Sequence, residues 1–182
     1  GIKFVAAPKI TTFKNTSKGV QINWKRVSGA SSYRVYKKTE DGSWKLAKKL
    51  NSSKLTYTDE NVKSGVKYSY AVKAVNSGVL SGYNTKTTEY LKKPVVKSAQ
   101  STKSGIVINY SKTTGADSYY IYRMESGDYE WSRIATVKGG STLSYKDTTA
   151  QKGVTYCYTV RACSGSYKSA YDTTGYKIKD KY

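Results

Sequence analysis

Ten residues of this chain occur twice with the same parity, and they limit what it can fold into more than anything else in it. Residues 65–74 read Gly-Val-Lys-Tyr-Ser-Tyr-Ala-Val-Lys-Ala, and residues 153–162 read Gly-Val-Thr-Tyr-Cys-Tyr-Thr-Val-Arg-Ala. A strict period of two puts Tyr68, Tyr70, Val72 and Ala74 on one face of a β-strand and Ser69, Ala71 and Lys73 on the other. Tyr156, Tyr158, Val160 and Ala162 do the same in the second copy. A turn glycine, a tyrosine soon after it and an apolar face behind are what a central strand of a two-sheet sandwich requires. In such a strand the first tyrosine packs its ring inward while its hydroxyl bonds back to the preceding connection.

The duplication extends along the whole chain. Pro8-Lys9-Ile10 and Pro94-Val95-Val96 open the copies with an edge strand, where a missing N–H does no harm. Val20, Ile22 and Trp24 then share a face, as do Ile106, Ile108 and Tyr110. Tyr33 and Val35, with Tyr119 and Ile121, are expected to point to the core, which leaves Tyr36, Tyr120 and Tyr122 on the outer face. Acidic loops follow from Glu40 to Ser43 and from Glu125 to Tyr129, the second one residue longer. A further one-residue shift is placed before Leu46-Ala47 and Ile134-Ala135. Closing strands are expected near 83–89 and 171–177. The N-terminal segment 1–7 has no clear period. No helix is evident, and the 182 residues divide into domains 1–91 and 92–182, joined through Lys92 and Lys93. Each half is long enough to bury a core without metal or disulfide.

The Trp24 strand, Tyr33-x-Val35, and Gly65-x-x-Tyr68-x-Tyr70-x-Val72-x-Ala74 followed by Asn76-Ser-Gly78 together resemble a fibronectin type III module. The second copy carries the same marks with Tyr110 in place of the tryptophan. The resemblance implies an all-β fold of two tandem seven-stranded fibronectin type III-like β-sandwiches. Copies this rich in Lys, Ser, Thr and Tyr are similar to those of Gram-positive bacterial surface and secreted proteins, which implies an extracellular or cell-surface fragment of a larger exported protein. No Arg-Gly-Asp tripeptide is present, so no integrin role carries over.

Charge and composition narrow the chemistry. There is no His, which removes the commonest general base, the usual zinc ligands and every Ser-His or Cys-His pairing. Ser64 and Lys67 have a Ser-x-x-Lys spacing but fall on a turn entering a strand. The nearest groupings of acids, Glu40-Asp41, Asp59-Glu60 and Glu125 with Asp128 and Glu130, fall in turns, and only Asp59 and Asp147 repeat, which fits turn capping. We therefore expect no enzyme, no cofactor and no metal. The formal charge of +20 comes from 32 Lys plus Arg against 12 acids. It favours weak, salt-sensitive contact with anionic cell-wall polymers, whereas the scarcity of Arg speaks against specific nucleic-acid recognition. No apolar run is long enough to insert in a membrane. Cys157 and Cys163, about 20 Å apart along one extended strand, are beyond the roughly 7 Å that a disulfide spans. They are expected to be free and outward-facing, and the protein a monomer.

A non-catalytic binding or adhesion module therefore fits best, recognising a host or surface protein, with immunoglobulin one candidate, or a glycan. A passive spacer between other domains and the cell wall is the alternative. The candidate ligand-binding residues lie on the outer sheet face: Tyr120, Tyr122, Tyr129, Trp131 and Arg161 in the second copy, Tyr36 and Trp44 in the first. Tyr, Trp and Arg dominate binding hot spots, and the second copy has the larger aromatic area.

Overall fold

A computed structural model describes residues 5–182; residues 1–4 of the aperiodic N-terminal segment lie outside the described residues. The chain divides into two compact units, Gly1–Tyr90 and Leu91–Tyr182. All described secondary structure is β.

In the first unit the strands are β1 (Ile10–Asn15), β2 (Val20–Trp24), β3 (Ser32–Thr39), β4 (Lys45–Asn51), β5 (Thr56–Asp59), β6 (Val66–Asn76), β7 (Val79–Leu80) and β8 (Thr85–Tyr90). One antiparallel sheet has the order β1-β2-β5. The other has the order β4-β3-β6, with β7 and β8 pairing in turn along the far side of β6. The second unit repeats this plan with β9 (Val96–Thr102), β10 (Gly105–Tyr110), β11 (Ser118–Glu125), β12 (Ser132–Lys138), β13 (Ser144–Asp147), β14 (Thr155–Ser164), β15 (Tyr167–Lys168) and β16 (Tyr176–Lys179). Its sheets are β9-β10-β13 and β12-β11-β14, the latter extended by β15 and β16. Each unit is a fibronectin type III-like sandwich whose seventh strand is broken in two.

The alternation read in the sequence sets the core. Val20, Ile22 and Trp24 from one sheet meet Tyr33, Val35, Tyr70, Val72 and Ala74 from the other, all buried. Ile106, Ile108, Tyr110, Tyr119, Ile121, Tyr158 and Val160 repeat the arrangement. The tyrosine hydroxyls find partners at the wet ends of the strands, as burial of such rings requires. The Tyr68 hydroxyl accepts the Lys63 N–H at 3.0 Å and that of Tyr156 accepts the Gln151 N–H at 3.1 Å, each reaching back to the preceding connection. The Tyr33 and Tyr119 hydroxyls accept the N–H groups of Val27 and Thr113. Gly19 and Gly105, at φ of +150° and +122°, pass so close to β5 and β13 that an added Cβ would collide with the carbonyl oxygens of Asp59 and Asp147.

Three expectations are corrected. The closing strand does not begin at the tyrosine in either copy: Tyr83 and Tyr171 fall in the break, and the paired segments are β8 and β16. The break is made by a buried serine. The Ser81 hydroxyl accepts the Ala74 N–H at 2.9 Å and donates to the Gly82 carbonyl at 2.7 Å, and Ser169 does the same with Ala162 and Ala170 at 3.0 and 2.6 Å. A side chain thus takes a backbone partner's place in the ladder, and the strand leaves the sheet there.

The second length difference also lies elsewhere. Leu50 and Val137 face the core tyrosines Tyr33 and Tyr119 in the same register. Ala47 therefore corresponds to Ile134, and the extra residue sits in the turn between β12 and β13. Finally, the cysteines are free but not accessible: Cys157 is 9% and Cys163 1% exposed. Their parity is as read, yet cross-strand neighbours cover that face. Met124 and Lys177 flank Cys157, and Ser118 and Lys168 flank Cys163.

Candidate binding site

The outer face of the β4-β3-β6 sheet is built from alternate residues of β3 and β6. Their register sets Tyr36 beside Ala71, and Arg34 beside Lys73. A β-bulge between Val35 and Tyr36 interrupts the pairing with β4 at this level, the device by which a strand re-aims a side chain. Across the face, the β3–β4 loop contributes Trp44 and the break in the closing strand contributes Tyr83. Trp44 and Tyr83 meet edge to face with centroids 6.1 Å apart. Tyr36, Trp44, Ala71, Lys73 and Tyr83 enclose a cavity of about 160 Å³. Ala71 faces outward but is only 1% exposed. Lys73 Nζ lies 4.7 Å from the Tyr83 centroid and 5.9 Å from that of Tyr36, and Lys38 Nζ lies 5.7 Å from that of Trp44. Tyr83 remains 46% exposed, so the cavity has an open aromatic rim.

A second cavity, of about 400 Å³, opens on the other side of the same loop, lined by Lys37, Lys38, Lys45, Tyr68 and the turn residues of that loop. Ser43 and Lys45 line this cavity while Trp44 lines the aromatic one.

The second unit arranges the same residue types differently. Tyr122 stacks on Tyr171, centroids 5.8 Å apart and 15° from parallel. Arg161 lies 5.6 Å over Tyr171 and donates through Nε to the Ser169 carbonyl at 2.6 Å. Tyr120 is covered by the Arg133 guanidinium at 4.5 Å and by Lys168 Nζ at 5.3 Å. Trp131 packs against Gly175, where an added Cβ would come within 2.5 Å of the indole. Tyr129 is 97% exposed on its loop and joins none of these ring contacts. Of the residues singled out in the sequence, Tyr120, Tyr122 and Arg161 thus share one face, Tyr120 covered by Arg133 and Lys168, and Tyr122 and Arg161 both in contact with Tyr171. Tyr36 and Trp44 instead border an open cavity. Tyr83 and Tyr171 escaped the sequence reading because they were placed inside a strand.

Behind each face lies a buried acid. Asp59 Oδ2 accepts from Lys37 Nζ at 2.7 Å and from the Tyr70 hydroxyl at 2.7 Å, while Oδ1 accepts the Asn61 N–H at 3.1 Å. Asp147 repeats this with Arg123 at 2.8 Å, Tyr158 at 2.6 Å and the N–H of Thr149 at 3.0 Å. The turn cap is as expected, and it is also the anchor of an ion pair and of a core tyrosine. Burial and the hydrogen bond to the carboxylate push the Tyr70 and Tyr158 hydroxyls well above the ordinary phenol range. Both hydroxyls therefore stay protonated near neutrality and act as fixed donors to the buried carboxylates, which suits a structural clasp. Among the described residues no group of three or more Cys, Asp or Glu side chains could hold a metal ion.

No family model matches this chain. A stretch of 98 residues, 52% of the chain, is 35% identical to 7% of the length of an amylopullulanase from Thermoanaerobacter thermohydrosulfuricus. A stretch of 90 residues, 49% of the chain, is 28% identical to 5% of an amylopullulanase from Thermoanaerobacterium thermosulfurigenes. The matched stretches are thus a small part of either curated relative. Among solved structures, a two-domain fibronectin type III segment of chicken tenascin aligns over 97% of this chain and 99% of its own, with 15% identity and a TM-score of 0.48. The FN1–FN3 domains of chicken CNTN1 align over 97% of this chain and 66% of theirs, with 17% identity and a TM-score of 0.45.

Proposed function

We propose that this chain is a non-catalytic accessory part of a larger exported bacterial protein and that it binds a glycan through the outer face of its first unit. The observation that carries this is the open cavity between Tyr36, Trp44 and Tyr83 over Ala71. Flat rings present apolar area at low side-chain entropy cost, and the C–H faces of a sugar ring are their natural complement. At about 160 Å³ the cavity is below the roughly 300–1,000 Å³ of sites that engulf a drug-sized ligand. It suits one ring of a longer chain. Of the ligand classes open to the sequence, a protein would need a contiguous patch of roughly 800 Å². The exposed large apolar side chains here, such as Leu46, Val79 and Tyr83, are spread over separate strands and loops. The similarity of half the chain to pieces of amylopullulanases, by name enzymes of polysaccharides, points the same way.

Affinity electrophoresis tests this directly. The intact chain is run in gels containing neutral or acidic polysaccharides, beside Trp44→Ala and Tyr83→Ala. Retardation of the wild type by at least one polymer and its loss in both variants is the expected result. No retardation by any polymer would leave the passive spacer as the function.

A further inference from the structure

Resting on that glycan reading, we infer that the sugar taken by the first unit carries a carboxylate: the site is built for an acidic polysaccharide, with a uronic acid residue against Tyr36, Trp44 and Tyr83 and its carboxylate on Lys73 and Arg34. Three observations converge on it. Lys49, Arg34 and Lys73 are direct cross-strand neighbours on β4, β3 and β6, forming a row of three cations across the sheet beside the aromatic cavity. Like charges directly opposite one another cost a sheet stability, and among the described residues no carboxylate forms an ion pair with any of the three. An incoming anion relieves that repulsion. Lys73 Nζ stands between two rings without donating to a described protein acceptor, so its three N–H donors are available. The Arg34 fork offers two parallel donors of the kind that grip a carboxylate.

The second cavity extends the same chemistry. Lys38 and Lys45 contribute cations to its lining, whereas the Lys37 ammonium is held by Asp59, and Lys38 also lies over the Trp44 ring that borders the first cavity. Glu40 of this loop is drawn toward Lys67, at 3.4 Å. A polymer with one sugar on the rings would therefore lay its next charged residues along lysines.

The second unit shows that this is a feature of one copy and not of the fold. Strand register puts Tyr120 where the first unit has Arg34, Met124 where it has Lys38, and Thr136 where it has Lys49. Of its other cations, Arg161 lies over Tyr171 and spends its Nε donor on the Ser169 carbonyl, while Arg133 and Lys168 both cover Tyr120.

The test uses the intact chain and three probes: sodium polygalacturonate, the same polymer with its carboxylates methyl-esterified, and the neutral glucan pullulan. Binding is measured by affinity electrophoresis and calorimetry at about 0.15 M salt, where the Debye length is about 8 Å and distant charges are screened. Circular dichroism confirms that each variant is folded. We expect polygalacturonate to bind at least tenfold more tightly than either uncharged polymer. Trp44→Ala and the pair Arg34→Gln with Lys73→Gln should each weaken it at least tenfold, whereas Arg133→Gln in the second unit should not. Equal or tighter binding of pullulan or the ester, lost in Trp44→Ala, overturns the acidic-sugar inference and leaves the glycan reading standing. Binding of none of the three overturns the acidic-sugar inference, and the broader polysaccharide panel then decides the glycan reading. Polygalacturonate binding that is indifferent to Trp44 and matched by loss of any surface lysine overturns the site and leaves only the attraction of a +20 chain for a polyanion.

Discussion

Asp147 shows how one buried residue ties a turn, a core ring and an ion pair together. Burial alone would push its carboxyl up, but hydrogen bonds from Tyr158, Thr149 and Arg123 outweigh that and hold it below the ordinary carboxylate range. A group whose pKa is lower folded than unfolded binds fewer protons in the native state between the two values. Its stabilisation is complete above the unfolded pKa, about 4, and is lost as pH falls through the folded one. Denaturant unfolding followed on β14 amides should therefore show stability falling below about pH 4, with a shallower fall in Asp147→Asn. That variant should also cost about 2–4 kcal/mol at neutral pH, because Arg123, its side chain 20% exposed, loses its partner. An unchanged acid limb would show that Asp147 contributes nothing to it. The sequence displayed the repetition of Asp59 and Asp147 and hence the cap, but their cationic partners stand 22 and 24 residues away and only the fold brings them together. The cysteines teach the converse. Parity gave their face correctly, whereas exposure depended on how far cross-strand side chains reach. Burial raises the Cys163 thiol, so a thiol reagent should label the folded chain on the order of a hundredfold more slowly than the unfolded one. Rapid native labelling of either cysteine would contradict the burial.

Among the elements, the closing strand differs most from its sequence reading, and the difference creates the candidate site. Alternation located β2, β3 and β6 and their counterparts β10, β11 and β14, because each turns one apolar face to the core, whereas the opening strands, expected from Pro8 and Pro94, begin only at Ile10 and Val96. The closing strand is broken by Ser81 and Ser169, whose hydroxyls satisfy a neighbour's N–H. A lone serine looks like turn chemistry, and nothing local distinguishes it from the many serines of this chain. Yet the break is what frees Tyr83 to lean over the sheet and meet Trp44, and frees Tyr171 to stack on Tyr122. Replacing Ser169 by Ala leaves the buried Ala162 N–H without its acceptor, a loss of about 1–3 kcal/mol. It should appear as faster hydrogen exchange at the Ala162 amide and a lowered unfolding midpoint of the second unit. Protection equal to wild type would mean that another acceptor replaces the hydroxyl.

At the scale of the whole molecule, each unit has its own core and its own clasp, and each sheet of the described residues is built from strands of a single unit. Expressed separately, residues 1–91 and 92–182 should each unfold cooperatively; failure of both would mean that neither core suffices alone. The duplication itself was fully legible, since it repeats residue types at fixed parity. What the sequence could not rank was the two outer faces. Counting rings favoured the second copy, but rings that stack on one another, as Tyr122 and Tyr171 do, spend their area on each other. The first copy has fewer outer rings, and Tyr36, Trp44 and Tyr83 border a cavity that leaves Tyr83 46% exposed. This makes the second half an internal control for charge. Both halves are strongly basic, so attraction driven by counterion release should be shared and should fall steeply with salt. Recognition by a shaped site should not be shared. Polygalacturonate should bind residues 1–91 with an affinity close to that of the intact chain at about 0.15 M salt and bind residues 92–182 at least tenfold more weakly. The gap should widen as salt rises, because ring contacts persist while screened charges fade. Equal binding by the two halves, lost together with salt, would refute a site in the first unit.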